Sequence, residues 1–282
     1  MASPVTTGTG LPPRGTERAT AQPPIIRLEQ ASLTYGGREG VVALTDLNLE
    51  IAAGEFVVVV GPSGCGKSSL LKLVSGLHPA ASGSVHVKDR PVTGPLKICG
   101  MAFQNPMLLP WRTTIRNVLL PLEIVDSHAG RLRRHRAEYE AHARTLLATV
   151  GLAGFEESFP WQLSGGMQQR ASLCRALIHT PELLLLDEPF GSLDPFTREE
   201  LWDVLQALWL EGRPTIVLVT HDLREAVYLA DTVYVISPRP GRVLSRTTIG
   251  LPRPRRLADT YRSEFTDLSH ALREQIATRA SP

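Results

Sequence analysis

With 282 residues, 43% hydrophobic and 21% charged, the chain can bury a full core, or a core with a lobed insertion. Its formal charge of +2 is too near neutral to argue for nucleic acid, and its longest apolar runs are strand-sized, which argues against a bilayer-crossing segment. Three cysteines, Cys65, Cys99 and Cys174, form no CxxC pair, which suits a reducing compartment and offers no zinc site.

Residues 1–24 are rich in Thr, Pro, Gly and Ala without an apolar core, and read as a disordered leader rather than a cleaved secretory signal. From Ile26 to Ile51 apolar and polar residues alternate, as in LNLEI, the period of strands with one wet face. FVVVV (56–60), LLLLD (183–187), TIVLVT (215–220) and TVYVI (232–236) are nearly continuous instead. Strands buried on both faces read this way, which predicts a parallel sheet flanked by helices.

After FVVVV comes GPSGCGKS, from Gly61 to Ser68, between a buried strand and a helix starting near Lys67. Gly61, Pro62, Ser63, Gly64, Cys65 and Gly66 form a loop whose backbone N–H groups can turn inward on phosphate oxygens, with Ser69 just beyond. Lys67 is expected to reach the β- and γ-phosphates, and the Ser68 hydroxyl to ligate Mg²⁺. Cys65, beside Lys67 and a helix N-terminus, is expected to favour its thiolate. No N-K-x-D reads guanine here, which disfavours GTP but leaves many nucleotide enzymes open.

A further apolar strand (98–103) closes at Gln104, whose amide can ligate Mg²⁺ or the attacking water. Residues 105–175 read as a mostly helical lobe inserted into the α/β core, with a helix over 131–150. His128, His135 and His142 are spaced too widely to share a metal and read as a wet face. Within LSGGM, Ser164, Gly165 and Gly166 open a helix and make a second anion site, about a hundred residues from the first. Two such sites for one phosphate make sense if they face each other from different chains. LLLLDEP then supplies Asp187, suited to orient water on Mg²⁺ opposite Ser68. Glu188 is expected to point elsewhere by strand alternation and to polarise the attacking water as general base. His221 ends TIVLVT on the same sheet edge and is given a γ-phosphate contact.

With GPSGCGKS, Gln104, LSGGM, LLLLDE, SLD (192–194) and His221 in this order, the chain from Ile26 to Gly241 resembles the ABC-transporter ATPase family. The resemblance implies an α/β fold: a RecA-like P-loop NTPase core with an N-terminal antiparallel β-subdomain and an inserted α-helical subdomain. It implies that ATP and Mg²⁺ are held between two cassettes packed head-to-tail, with Ser164, Gly165 and Gly166 binding γ-phosphate in trans and Asp194 crossing the interface. It implies that Tyr35 stacks on adenine. Met167 stands where family members commonly have Gln, which touches little because the anion meets a hydroxyl and backbone N–H groups.

FQNPMLLPWRTTIRNVLLPLE, PELLLLDEPFGSLD and ISPRPGR look like the subfamily that energises uptake of nitrate, sulfonates, taurine and bicarbonate. That resemblance implies separate permease subunits, an extracytoplasmic solute-binding protein acting indirectly, and a peripheral place on the cytoplasmic face of the membrane. Met107, Leu108, Leu109 and Trp111, apolar and flanked by prolines, are candidates for a groove receiving a permease helix. The alternative is an ABC-type ATPase of DNA maintenance or translation, coupled to no permease. Against it, only about sixty residues separate Gln104 from the signature, too few for a coiled-coil arm, and the chain carries one cassette. Intact Glu188 and His221 argue against a non-hydrolysing regulator. The division expected is a leader (1–24), an ATPase domain (25–245) and a solubilising Arg/Pro-rich extension (246–282) ending in a helix over 264–278.

Overall fold

The computed structural model describes residues 24–36, 40–125 and 134–278. Residues 1–23 of the expected leader, His128 and the start of the helix expected over 131–150 therefore lie outside the described residues, while Pro24, placed in the leader, begins the first strand.

Two sheets organise the chain. Strands β1 (Pro24–Tyr35), β2 (Val41–Ala52), β4 (Ser82–Val87) and β5 (Arg90–Pro91) form an antiparallel sheet in the order β2-β1-β4-β5. Along β2 the alternation is literal, with Leu47, Leu49 and Ile51 buried and Asn48, Glu50 and Ala52 exposed. The second sheet runs β10-β9-β3-β8-β7-β6, from β3 (Phe56–Val60), β6 (Cys99–Ala102), β7 (Leu183–Asp187), β8 (Thr215–Thr220), β9 (Thr232–Ile236) and β10 (Val243–Thr248). It is parallel except for β10 against β9. Every residue of β3, β7, β8 and β9 is buried, as their unbroken apolar runs require of strands covered on both faces.

The inserted lobe carries α2 (Thr114–Val118), α3 (Leu120–Ile124), α4 (Arg136–Thr149) and α5 (Gly165–Leu177). Its first loop is held by fully buried Asn117, whose amide donates to the carbonyls of Leu109, Arg112 and Thr113 and whose oxygen accepts from the Leu109 N–H at 2.7 Å. Prolines deny this loop a helical ladder, so one side-chain amide takes over its backbone polar groups. His135, the residue before α4, is exposed as expected, whereas His142 on α4 is half-buried, so the wet face expected of both holds only for the first. The strand before Gln104 is shorter than expected, at Cys99–Ala102, and leaves Gln104 in the loop beyond it.

The C-terminal region differs most from expectation. The boundary placed at 245/246 falls inside β10, and the segment beyond is part of the core rather than a solubilising extension. Helix α8 (Ser263–Thr278) packs on α7 (Leu223–Leu229), burying Phe265 and Leu272. Arg255 is 2% exposed, and its guanidinium donates to the carbonyls of Val227, Tyr228 and Ala230 at 2.7–2.9 Å and of Leu251 at 3.2 Å. It is a cation at the C-terminal end of α7, where the carbonyls lack helical partners and the helix dipole is negative. Arg253 pairs with Asp231 at 2.9 Å and lies over the Trp209 ring. Burial pushes the Arg255 guanidinium down to about 10. Arg255→Met should strand several buried carbonyls and cost about 3 kcal/mol, lowering the thermal midpoint by about 6–12 °C. A shift below about 2 °C in a thermal melt would show that this clamp is not holding the C-terminal region.

Candidate nucleotide site

The register of the parallel sheet decides what meets at its C-terminal edge. Val60 pairs with Thr220 and Asp187 with Val219, so the residues following β3, β7 and β8 emerge side by side. They are Gly61, Glu188 and His221; Glu188 and His221 border a cavity of about 430 Å³ with Ser63, Gly64, Lys67, Ser68, Ser69, Gln104 and Tyr35, and Gly61 is joined to that lining by the Lys67 bond to its carbonyl.

The phosphate loop is shaped by a glycine that no other residue replaces. Gly66 has φ of 104° and stands immediately before α1 (Lys67–Val74); a Cβ there would lie 2.6 Å from Leu44 Cδ2. No side chain caps α1, so its first N–H groups remain for a ligand. Lys67 is folded back, its Nζ donating to the Gly61 carbonyl at 2.9 Å and the Pro62 carbonyl at 3.1 Å, with Glu188 Oε1 at 4.0 Å. The ammonium is thus held over its own loop at the place where phosphate oxygens would compete for it.

Ser68 donates to Asp187 at 2.8 Å. Burial raises the Asp187 carboxyl above the usual carboxylate range, against the Ser68 hydrogen bond and with Glu188 adding to the rise. A hydroxyl and a buried carboxylate in contact are a hard-oxygen pair suited to Mg²⁺, which takes few protein ligands and completes its shell with phosphate and water. Among the described residues no cluster of three or more His, Cys, Asp or Glu side chains could hold a metal, so soft-ligand sites have no candidate there.

Glu188 lies just beyond β7, so strand alternation, expected to orient it, does not. Its φ is 45°, a left-handed turn just after β7, with its N–H donating to Val219 at 3.0 Å. That turn, not strand pleat, swings the carboxylate into the cavity, where Oε2 lies 3.3 Å from His221 Nδ1. His221 is placed from behind: Asp222 caps α7 through the N–H groups of Arg224 and Glu225 and pairs with Arg198 at 3.2 Å. Arg198 also donates to the Leu193 carbonyl, joining the SLD segment to Asp222, the residue after His221.

Tyr35 borders the cavity, anchored by its hydroxyl to Ser69 Oγ at 3.1 Å and edge-on to His78. Arg239 borders it too, held to β2 by a bond from Nε to the Val42 carbonyl. It was missed in the sequence, where ISPRPGR entered only as one of the stretches that carry the subfamily resemblance. The Gly241 backbone bonds to Ala43 and Thr45, joining this loop to the antiparallel sheet and bringing Arg239 beside the cavity.

Cys65 departs from expectation. Its side chain is buried, and burial raises its thiol, outweighing the Lys67 charge and loop N–H groups that pull the other way. A helix start and a cation favour a thiolate only where it stays solvated. Alkylation at pH 7.5 should therefore be at least ~10-fold slower than at an exposed cysteine, with or without ATP. Rapid labelling at Cys65, followed by peptide mass, would contradict this burial.

The signature segment lies outside this cavity. Ser164 caps α5, its Oγ accepting from the Met167 N–H at 3.3 Å, and Ser164 and Gly165 are exposed. A Cβ on Gly166 would lie 2.8 Å from Leu193, so this glycine lets the signature pack against the SLD segment. Asp194 caps α6 (Pro195–Gly212) through the Thr197 N–H at 3.1 Å, and that bond holds its carboxyl low. None of Ser164, Gly165, Gly166 and Asp194 borders the described cavity. From the signature, α5 runs to the loop after Gln104: Gln169 donates to the Phe103 carbonyl, and Arg175 to those of Pro106 and Met107.

An apolar cavity of about 510 Å³ opens beside edge strand β6, lined by Met101, Phe103, Met107, Leu120 and Ile124. Of the four residues expected to make a groove, Met107 lines it and Leu108 packs against the core; Leu109 and Trp111 are not in its lining, although Trp111 is exposed.

The ABC transporter family profile matches residues 44–191. A taurine import ATP-binding protein TauB of Yersinia pestis is 46% identical over 211 residues, 75% of this chain and 80% of that protein. The protein of the same name from Escherichia coli is 42% identical over 256 residues, 90% of this chain and 96% of the other. Among solved structures, the dimeric ATP-binding cassette MJ0796 in a post-hydrolysis state with ADP and Pi superposes with a TM-score of 0.70 and 32% identity, covering 80% of this chain and all of that one.

Proposed function

This chain belongs to the ABC transporter family as an ATP-binding, ATP-hydrolysing subunit, and from that premise we propose that it powers taurine import through separate permease subunits. The observation that supports this most is a divided site. The phosphate loop, Glu188, His221 and Gln104 gather at one cavity, with Asp187 bonded to its Ser68, while the signature lies outside it. A second cassette, arranged head-to-tail, supplies the missing half in this reading: the partner's signature N–H groups and Ser164 hydroxyl meet the γ-phosphate. Tyr35 and Arg239 hold the nucleotide's outer end. Ser68 and Asp187 hold Mg²⁺, with Gln104 completing the set from the lobe. When bound, the metal neutralises charge on the β- and γ-phosphates.

In the reaction this geometry suits, Lys67 releases its own loop carbonyls to take the phosphates. Glu188 accepts a proton from the attacking water, and His221 steadies the γ-phosphate while its Nδ1 is engaged by Glu188. Closure on ATP moves the helical lobe through Gln169 and Arg175, which connect the signature helix to the loop after Gln104. The apolar groove beside β6 receives a short permease helix, and a solute-binding protein delivers taurine on the outer side. No described helix is long and apolar enough to cross a membrane. The chain's place is then the cytoplasmic face of the membrane, held through the permease.

Taurine is proposed because the relatives at 42–46% identity carry that name. In vesicles holding the cognate permease and binding protein, labelled taurine should enter only with ATP and this chain, and Lys67→Ala should abolish uptake. ATP-dependent uptake of another anion with none of taurine would overturn the substrate and leave the ATPase standing.

A further inference from the structure

A second cavity, of about 750 Å³, lies between the phosphate loop and the C-terminal helix. Its inner wall includes Ser63 and His221, which also border the nucleotide cavity, so the two are neighbours across a shared wall. Its outer wall is α8 with the start of α7, Leu223 and Ile276 giving half-buried apolar surface and Arg224 and Arg273 giving positive charge, with His270 beside them and Asp222 the one carboxylate in the lining.

A matching projection stands close by. Phe196 is 79% exposed in the first turn of α6, two residues after Asp194. Pro195 and the Asp194 cap stiffen that turn, so the ring is presented with little conformational freedom to lose. Glu199 and Glu200 follow it in sequence, giving this surface the charge opposite to the cavity lining. Glu199 pairs with Arg224 at 3.2 Å, which ties the projecting turn to the cavity's own rim. Projection and cavity are therefore adjacent, as a two-fold interface requires when one patch must complement itself.

We infer that this cavity seats a second copy of the chain, with the partner subunit's Phe196 entering between Leu223 and α8 and its acidic turn facing Arg224, His270 and Arg273. This rests on the head-to-tail dimer proposed above and adds the C-terminal helix to its interface. Because Ser63 and His221 form the shared wall, seating the projection and closing on nucleotide become one event.

The test uses full-length protein in a Glu188→Gln, Cys99→Ser background with Mg-ATP, as two differently tagged pools, one Phe196→Cys and one Ser269→Cys. Copper-phenanthroline oxidation should give an inter-chain disulfide that requires ATP, while sedimentation reports dimerisation independently. Arg273→Glu, an exposed change, should weaken the ATP-dependent dimer at least tenfold. A dimer by sedimentation without the 196–269 disulfide, or one formed equally well with Arg273→Glu, overturns the seat and leaves the head-to-tail dimer intact. No dimer under any nucleotide condition overturns both.

Discussion

Glu188→Gln retains ATP binding and loses at least ~10²-fold of the hydrolysis rate, the usual range for removing a general base. The substitution keeps the side chain's size and removes its charge. Glu188 is 20% exposed, stands 3.3 Å from His221 Nδ1 and 4.0 Å from Lys67 Nζ, and its backbone holds a left-handed turn that either residue type must adopt. The loss should therefore appear as a slower chemical step, not as weaker nucleotide affinity. Single-turnover kinetics with equilibrium binding of a fluorescent ATP analogue separates the two. Turnover within threefold of the unsubstituted protein would remove Glu188 from the water position.

Mixing two inactive proteins restores activity. Lys67→Ala removes the cation over the phosphate loop; Ser164→Arg fills the exposed signature cap with a long side chain. Neither site works in either homodimer if each nucleotide needs a loop from one chain and a signature from the other. In a mixed dimer both lesions fall on one site and the other is intact. Random pairing makes about half of the dimers mixed at a 1:1 ratio, so activity should peak there near a quarter of the unsubstituted level. A flat zero across all ratios, with mixed dimers shown by mass, would mean the signature does not act in trans. The geometry leads to this result because Ser164 and its glycines lie outside the lining of the cavity that the phosphate loop borders, with Ser164 and Gly165 exposed.

The parts legible in the sequence share one property: their meaning is local. Gly66 before Lys67, the LLLLD run before Glu188 and the Ser164 cap are each set by a few consecutive residues, because glycine torsions, strand burial and helix starts are local matters. The two-sheet α/β architecture followed from the contrast between alternating and unbroken apolar runs. Misreadings arose where surroundings decide. Arg253 and Arg255 look like solvated charge in a Pro-rich tail, and become buried clamps because α7 ends its carbonyls there. Cys65 has a thiolate's neighbours in sequence and an apolar enclosure in space.

By itself, then, the sequence determined the phosphate loop, the order of the strands' buried runs and the residue types able to hold ATP and activate water. Only the tertiary structure decided which of them meet. The 3.3 Å contact of Glu188 with His221, the reach of Arg239 across from β9, and the placing of the signature outside the cavity depend on sheet register and on groups distant in sequence. Desolvation and long-range packing are properties of the assembled surroundings, and no short window of residues encodes them.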